Sequence, residues 1–151
     1  MAFFSSFKHH RIRTSGATIN AVSAGSGEPV LLLHGYPQTM ACWHEIAPEL
    51  AKHYTVVCAD LRGYGGSSKP KGLPDHSNYS KRAMALDMVE VMRSLGHEKF
   101  HLVGHDRGGR VAHRLARDHG KRVQTLTVLD ISPTLKMFEN TNLAFATAYY
   151  H

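Results

Sequence analysis

Long hydrophobic runs are missing from this sequence: no stretch approaches the roughly 20 consecutive apolar residues that a membrane-spanning helix needs. Cysteine is scarce too. Cys42 and Cys58 are the two thiols, too few for the disulfide framework of a small secreted domain, and they suit a reducing compartment. The N-terminus, Met1-Ala2-Phe3-Phe4-Ser5-Ser6-Phe7, has no basic n-region, no sustained apolar stretch and no small-residue cleavage site, so it does not read as a secretory signal. The expected location is the cytoplasm. Internal repeats and low-complexity tracts are also lacking, which excludes solenoid and fibrous architectures.

What is present is a chain of 151 residues, 42% hydrophobic and 20% charged, the balance of a globular domain with a core of its own. A formal charge of +6 is compatible with a polyanion partner, with an anionic small substrate, or with a modest excess of solvated lysine and arginine. Charge alone does not choose between them.

Short apolar runs alternate with helical patterns, which predicts βα units around a mostly parallel sheet. Segments 9–14 and 18–24 flank Ser15-Gly16 and predict a β-hairpin. Residues 29–33, 54–59, 99–103 and 123–129 read as buried strands. Apolar spacing predicts helices over 43–52, 80–95 and 107–119, with a last helical stretch over 138–150. In 80–95, Met84, Met88, Val91, Met92 and Leu95 form one stripe closed by Gly96, a core face rather than a cofactor box. The loop 61–76, rich in Gly, Ser and Pro, is expected on the surface.

The chemistry concentrates in Gly104-His105-Asp106-Arg107-Gly108. Small-x-nucleophile-x-small between a buried strand and a helix is the context of a nucleophile elbow. Glycine is required because the turn is strained and passes close to the neighbouring strand. Taken in isolation, Asp106 reads as a helix N-cap; the surrounding pattern favours the nucleophile. A carboxylate in that position suits displacement at an alkyl carbon, because the alkyl ester it forms can be hydrolysed whereas a seryl ether could not. After the first central strand comes His34-Gly35-Tyr36-Pro37, a loop placed to supply an oxyanion-hole N–H. The expected donors are the backbone amides of Tyr36 and Arg107. His34, Pro37 and the segment from Asp60 to Ser67 are assigned to loop architecture.

Four blocks carry a family resemblance: His34-Gly35-Tyr36-Pro37-Gln38-Thr39, Asp60-Leu61-Arg62-Gly63-Tyr64-Gly65, Gly104-His105-Asp106-Arg107-Gly108-Gly109-Arg110 and Leu129-Asp130-Ile131-Ser132-Pro133-Thr134. Through them the chain resembles the haloacetate (fluoroacetate) dehalogenases of the α/β-hydrolase superfamily. The first two blocks are shared with epoxide hydrolases and haloalkane dehalogenases. The third discriminates, since those relatives usually place tryptophan after the nucleophile where this chain has Arg107. The resemblance implies an α/β-hydrolase core over 1–134 and the start of a helical cap domain over 135–151, the fold being cut before the cap is complete and before the last strands. It implies that Asp106 attacks the carbon bearing the halogen, that Arg107 and Arg110 hold the substrate carboxylate, that Asp130 orients a catalytic histidine, and that His151 contacts the departing halide. No cofactor and no metal are expected. The expected partner is a small haloacid, with neither nucleic acid nor membrane, and a homodimer stays open for a full-length protein.

In this superfamily the order along the chain is nucleophile, acid, histidine, and none of the twelve histidines fits the base. The expectation is therefore a piece of a longer enzyme, whose strand at 123–129 would present an exposed apolar edge. Two other enzyme readings stand beside the dehalogenase. An epoxide hydrolase would use cap tyrosines, for which Tyr149 and Tyr150 are candidates by type, but would leave Arg107 and Arg110 without a role. A catalytically silent hydrolase fragment is the second. A basic binding module would use the stripe Arg107, Arg110, Arg114, Arg117 and Lys121; its opposite face is apolar and no base-stacking aromatics accompany it. His97, His101 and His105 recur every four residues, yet on a strand that spacing does not converge on a metal.

Overall fold

The computed structural model describes residues 3–148; His151, Tyr149 and Tyr150 lie outside them. Six strands form one sheet: β1 (Lys8–Arg13), β2 (Thr18–Ala24), β3 (Pro29–Leu33), β4 (Thr55–Ala59), β5 (Phe100–His105) and β6 (Val123–Leu129), in the order β1-β2-β4-β3-β5-β6. The expected hairpin joins β1 and β2 antiparallel, its turn closed by a 2.8 Å bond from Thr14 N–H to the Ala17 carbonyl. From β4 to β6 every pairing is parallel. β3 and β4 are apolar on both faces because the central strands are covered on both sides.

One layer contains α2 (Lys81–Ser94) and α3 (Arg107–Asp118). Its Met88, Met92 and Leu115 pack against Leu31, Leu33, Phe100 and Leu102 of the sheet. The other layer packs Phe4, Phe7, Trp43 and Ala47 over Val30, Leu32, Val56 and Cys58. The stripe predicted for α2 is the buried face, with Leu95 at its margin. Ser80 caps the helix, its Oγ accepting from Ala83 N–H at 3.2 Å. At the other end Gly96 takes a positive φ of 86°, and His97 and Gly96 donate back to the Met92 and Arg93 carbonyls, a Schellman closure.

Three expectations are corrected. The helix predicted over 43–52 is a 3-10 turn, Met40–Trp43, followed by the short α1 (Ile46–Leu50). Pro48 has no N–H to give residue 44, so an α-helix can only begin late enough to hold the proline in its first turn. The helix predicted over 138–150 begins earlier and breaks into α4 (Thr134–Glu139) and α5 (Leu143–Ala148). Asn142 Oδ1 accepts from Phe145 N–H at 2.9 Å, so the asparagine caps a new helix instead of extending the old one. The loop 61–76 is only partly at the surface: Leu61, Arg62 and Ser67 are buried.

That burial has a reason. Arg62 Nε and one terminal nitrogen each donate at 2.8 Å to the two oxygens of Asp87 on α2, and the side chains are 4% and 1% exposed. Thr14 Oγ donates to Asp87 at 2.6 Å, and Arg62 also donates to the Asn78 carbonyl. The pair thus ties the hairpin turn, the glycine-rich loop and α2 together. β6, by contrast, is the open edge, with Leu126, Val128 and Leu129 exposed, as the sequence led one to expect. No helix among the described residues is long and apolar enough to cross a membrane.

Removing one member of a buried pair strands the other without compensation. Asp87→Ala is expected to lower unfolding free energy by about 3–5 kcal/mol in urea denaturation, whereas Arg82→Ala, at the exposed Arg82–Asp118 pair, should change it by about 1 kcal/mol or less.

Candidate active site

β5 ends at His105 and α3 begins at Arg107, so a single residue turns the chain between them. Asp106 does so at φ 46° and ψ −115°. A non-glycine residue at positive φ costs on the order of 1–3 kcal/mol, and the surroundings hold it there. Its N–H donates to the Leu129 carbonyl at 3.0 Å and its carbonyl accepts from Arg110 N–H at 3.1 Å. The flanking glycines are sterically obligatory. A Cβ on Gly104 would lie 2.5 Å from the Gly108 carbonyl oxygen, and one on Gly108 would lie 2.4 Å from that of Leu33.

The Asp106 side chain makes no cap hydrogen bond to its own helix. Instead Oδ1 accepts the Tyr36 N–H at 2.8 Å. The helix-cap alternative therefore loses its physical basis. Gly35 makes room for this contact, since a Cβ there would sit 2.7 Å from Asp106 Cβ. Tyr36 also lies under the Arg107 guanidinium, 4.7 Å from ring centroid to Cζ, a cation–π contact.

Tyr36, Asp106, Arg107, Arg110 and Asp130 line one cavity of about 470 Å³ with His105, closed in part by the apolar side chains of Ile131, Met137 and Phe145. Within it the Arg110 Nε–H is buried and has no hydrogen-bond partner among the described residues. Asp130, just past β6, is exposed and also adopts a positive φ, 54°. Its Oδ2 lies 3.9 Å from His105 Nε2. The structure thus gathers every predicted site residue it describes; His151 falls outside the described residues.

Three neighbours escaped the sequence reading. His105 was grouped with His97 and His101, but the three diverge: His101 contacts Thr125 and Glu28, while His105 Nδ1 meets Gln38 Oε1 at 3.0 Å. Gln38 sat within a quoted block without an assigned role. Lys81, at the start of α2, is half-buried; burial lowers its pKa first, the Arg107 and Arg110 charges lower it further, and Asp106 raises it. The one available signal was adjacency, since His105 immediately precedes the nucleophile candidate. Nothing local pointed to Lys81. Arg114, from the basic stripe, is engaged with Asp118 at 2.7 Å, which together with Arg82 holds that carboxyl below its ordinary pKa.

The loop behind Tyr36 is pinned by buried polar groups. His34 Nδ1 bonds the Gly35 carbonyl at 2.8 Å, and its Nε2 accepts Leu61 N–H at 3.0 Å, so the ring is neutral with its proton on Nδ1. Asp60 accepts from Asn20, Met40 N–H and Gly66 N–H at 2.8–2.9 Å. Both residues are architectural, as their sequence setting suggested.

A family model described as alpha/beta hydrolase fold matches residues 28–150. A fluoroacetate dehalogenase from Burkholderia sp is 59% identical over 148 residues, covering 98% of this chain and 49% of the relative. A soluble epoxide hydrolase from Corynebacterium sp. (strain C12) is 42% identical over 127 residues, covering 84% and 43%. Among solved structures, one described as an alpha/beta hydrolase from Nostoc sp PCC 7120 superposes with a TM-score of 0.95 at 61% identity, over 98% of this chain and 51% of that one. The chain spans about half the length of the relatives it matches.

Burial lowers the His34 pKa, more than the Gly35 bond and Asp60 raise it. A depressed folded-state pKa contributes stability that is present above the unfolded value, about 6.5, and lost as pH falls through the folded value. Urea midpoints measured downward from about pH 8 should therefore decline below about pH 6.5, and His34→Gln should decline less steeply than the unsubstituted protein.

Proposed function

The chain belongs to the α/β-hydrolase fold family, and within it we propose the nucleophile-bearing half of a hydrolytic dehalogenase that releases halide from a haloacetate. The observation that carries this reading is a carboxylate pinned at one oxygen beside an arginine with an unsatisfied buried donor. With Oδ1 held by Tyr36 N–H, Oδ2 of Asp106 is the oxygen left for attack. It forms the C–O bond as the carbon–halogen bond breaks, and halide departs with the electron pair. Arg107 and Arg110 receive the substrate carboxylate, a task suited to guanidinium because its donors match both oxygens. Lys81 adds positive potential behind them.

Hydrolysis of the resulting ester places negative charge on Oδ1. The Tyr36 amide, and the Arg107 amide at the positive end of α3, are the donors for that oxyanion. Asp130 orients the histidine that activates water, a base supplied by the part of the enzyme beyond the matched half. His151 contributes to the halide site, and α4 and α5 begin the cap domain that follows the core at residue 134. The free thiols Cys42 and Cys58 suit the cytoplasm.

Similarity to a soluble epoxide hydrolase supports a second reading, in which Asp106 opens an epoxide. A neutral epoxide gives Arg110 nothing to bind, which favours the haloacid. A catalytically silent hydrolase fragment is the third reading.

Incubation with chloroacetate, followed by peptide mass mapping, is expected to find a carboxymethyl ester on Asp106. Asp106→Asn should abolish it, and Arg110→Met should slow it by about ten- to hundred-fold, the worth of a charge-assisted hydrogen bond. Faster labelling by styrene oxide than by chloroacetate would turn the assignment to the epoxide hydrolase; no adduct at Asp106 with either would remove both.

A further inference from the structure

The geometry points to Gln38 and His105 as positioning residues that form one clasp holding the Tyr36 N–H on the Asp106 carboxylate; the proposal rests on the reading of Asp106 as nucleophile. Tyr36 and Asp106 stand 70 positions apart, on the loop after β3 and on the elbow after β5. Strand pairing brings the two ends level, with Leu33 opposite Gly104, but pairing stops there. Beyond it the loop needs an anchor of its own.

Gln38 supplies it. Its N–H closes the turn on the Gly35 carbonyl at 3.1 Å. Its side chain folds back so that Oε1 accepts Gly35 N–H at 3.3 Å and meets His105 Nδ1 at 3.0 Å. One oxygen therefore joins the peptide just before the Tyr36 donor to the residue just before the nucleophile. Lateral drift of the loop would stretch the bond to His105, the one that crosses from the loop to β5, and the Tyr36 amide would leave Oδ1 with it.

The proton count follows from the acceptor. An amide oxygen only accepts, so His105 carries its hydrogen on Nδ1. Nε2 of the neutral ring then presents a lone pair to Asp130 Oδ2, 3.9 Å away. Two acceptors make no hydrogen bond. His105 accordingly leaves Asp130 free for a different histidine, and its service is to the loop.

Histidine tautomer and the Tyr36 amide are both readable by NMR in the unsubstituted protein. The long-range nitrogen–proton pattern of the neutral His105 ring should show the proton on Nδ1; a proton on Nε2 overturns the proposal. Gln38→Leu should move the Tyr36 amide proton upfield and speed its solvent exchange by about tenfold or more, equivalent to a hydrogen bond of about 1.4 kcal/mol, while the Leu31–Leu33 amides stay in place. Gln38→Glu, which keeps an acceptor, should restore both. An unmoved Tyr36 amide in a folded Gln38→Leu protein overturns the clasp. If Gln38→Leu does not fold, His105→Asn, which keeps a donor near the Nδ1 position, should preserve the Tyr36 signal and His105→Gln should lose it; equal behaviour of the two overturns it as well. Chloroacetate labelling of Asp106 in the unsubstituted protein tests the nucleophile separately, so failure of the clasp and failure of the nucleophile give different results.

Discussion

The close approach of the α3 N-terminus to the end of β3 is the constraint on which the rest of the site depends. Gly108 lies against the Leu33 and His34 carbonyl oxygens, and Gly104 against the Gly108 carbonyl, at distances that no Cβ could share. This approach lets a one-residue elbow project Asp106 across to the loop after β3. Larger residues at either glycine would push α3 outward and carry Arg107 and Arg110 away from the carboxylate they flank. Strain at Asp106 is the counterpart of that approach, offset by the backbone bonds to Leu129 and Arg110.

A second layer of polar groups keeps the loops from relaxing. His34, Asp60 and the Arg62–Asp87 pair are all buried, and each satisfies backbone donors or acceptors from a different segment. Buried polar groups with complete hydrogen bonding rigidify what they touch. Here they touch the loop that presents the Tyr36 amide, the glycine-rich loop and the β1–β2 hairpin turn. The apolar core sets the sheet and its helices; these few polar side chains set where the loops stop.

Opposite the braced half lies an unbraced one. β6 is an edge whose exposed Leu126, Val128 and Leu129 contrast with the buried Val30–Leu33 stretch of β3. α4 and α5 bury no side chain completely. Asp130 projects from that side, exposed and at positive φ. The two carboxylates therefore sit in different environments. The Asp106 carboxylate is held by the Tyr36 backbone amide, whereas Asp130 stands at the end of the least covered strand. That difference fits the roles proposed for them, a fixed nucleophile and an orienting acid.

Much of this molecule was legible in the sequence because the relevant demands are local. Strand and helix periods, the Gly96 stop of α2, and the glycine spacing around Asp106 are written within a few residues of where they act. So is the pairing of Arg107 and Arg110, one helical turn apart. Helix ends near Pro48 and Asn142 were misjudged because a missing N–H and a side-chain cap outweighed apolar spacing. The Tyr36 amide was expected at the Asp106 site from its motif, but tertiary structure alone decided that it meets the carboxylate itself, and that Gln38 meets His105 and Arg62 meets Asp87. The physical reason is that these contacts follow from the strand order β4-β3-β5-β6, which brings positions up to 70 apart side by side, and no local pattern encodes a partner at that distance.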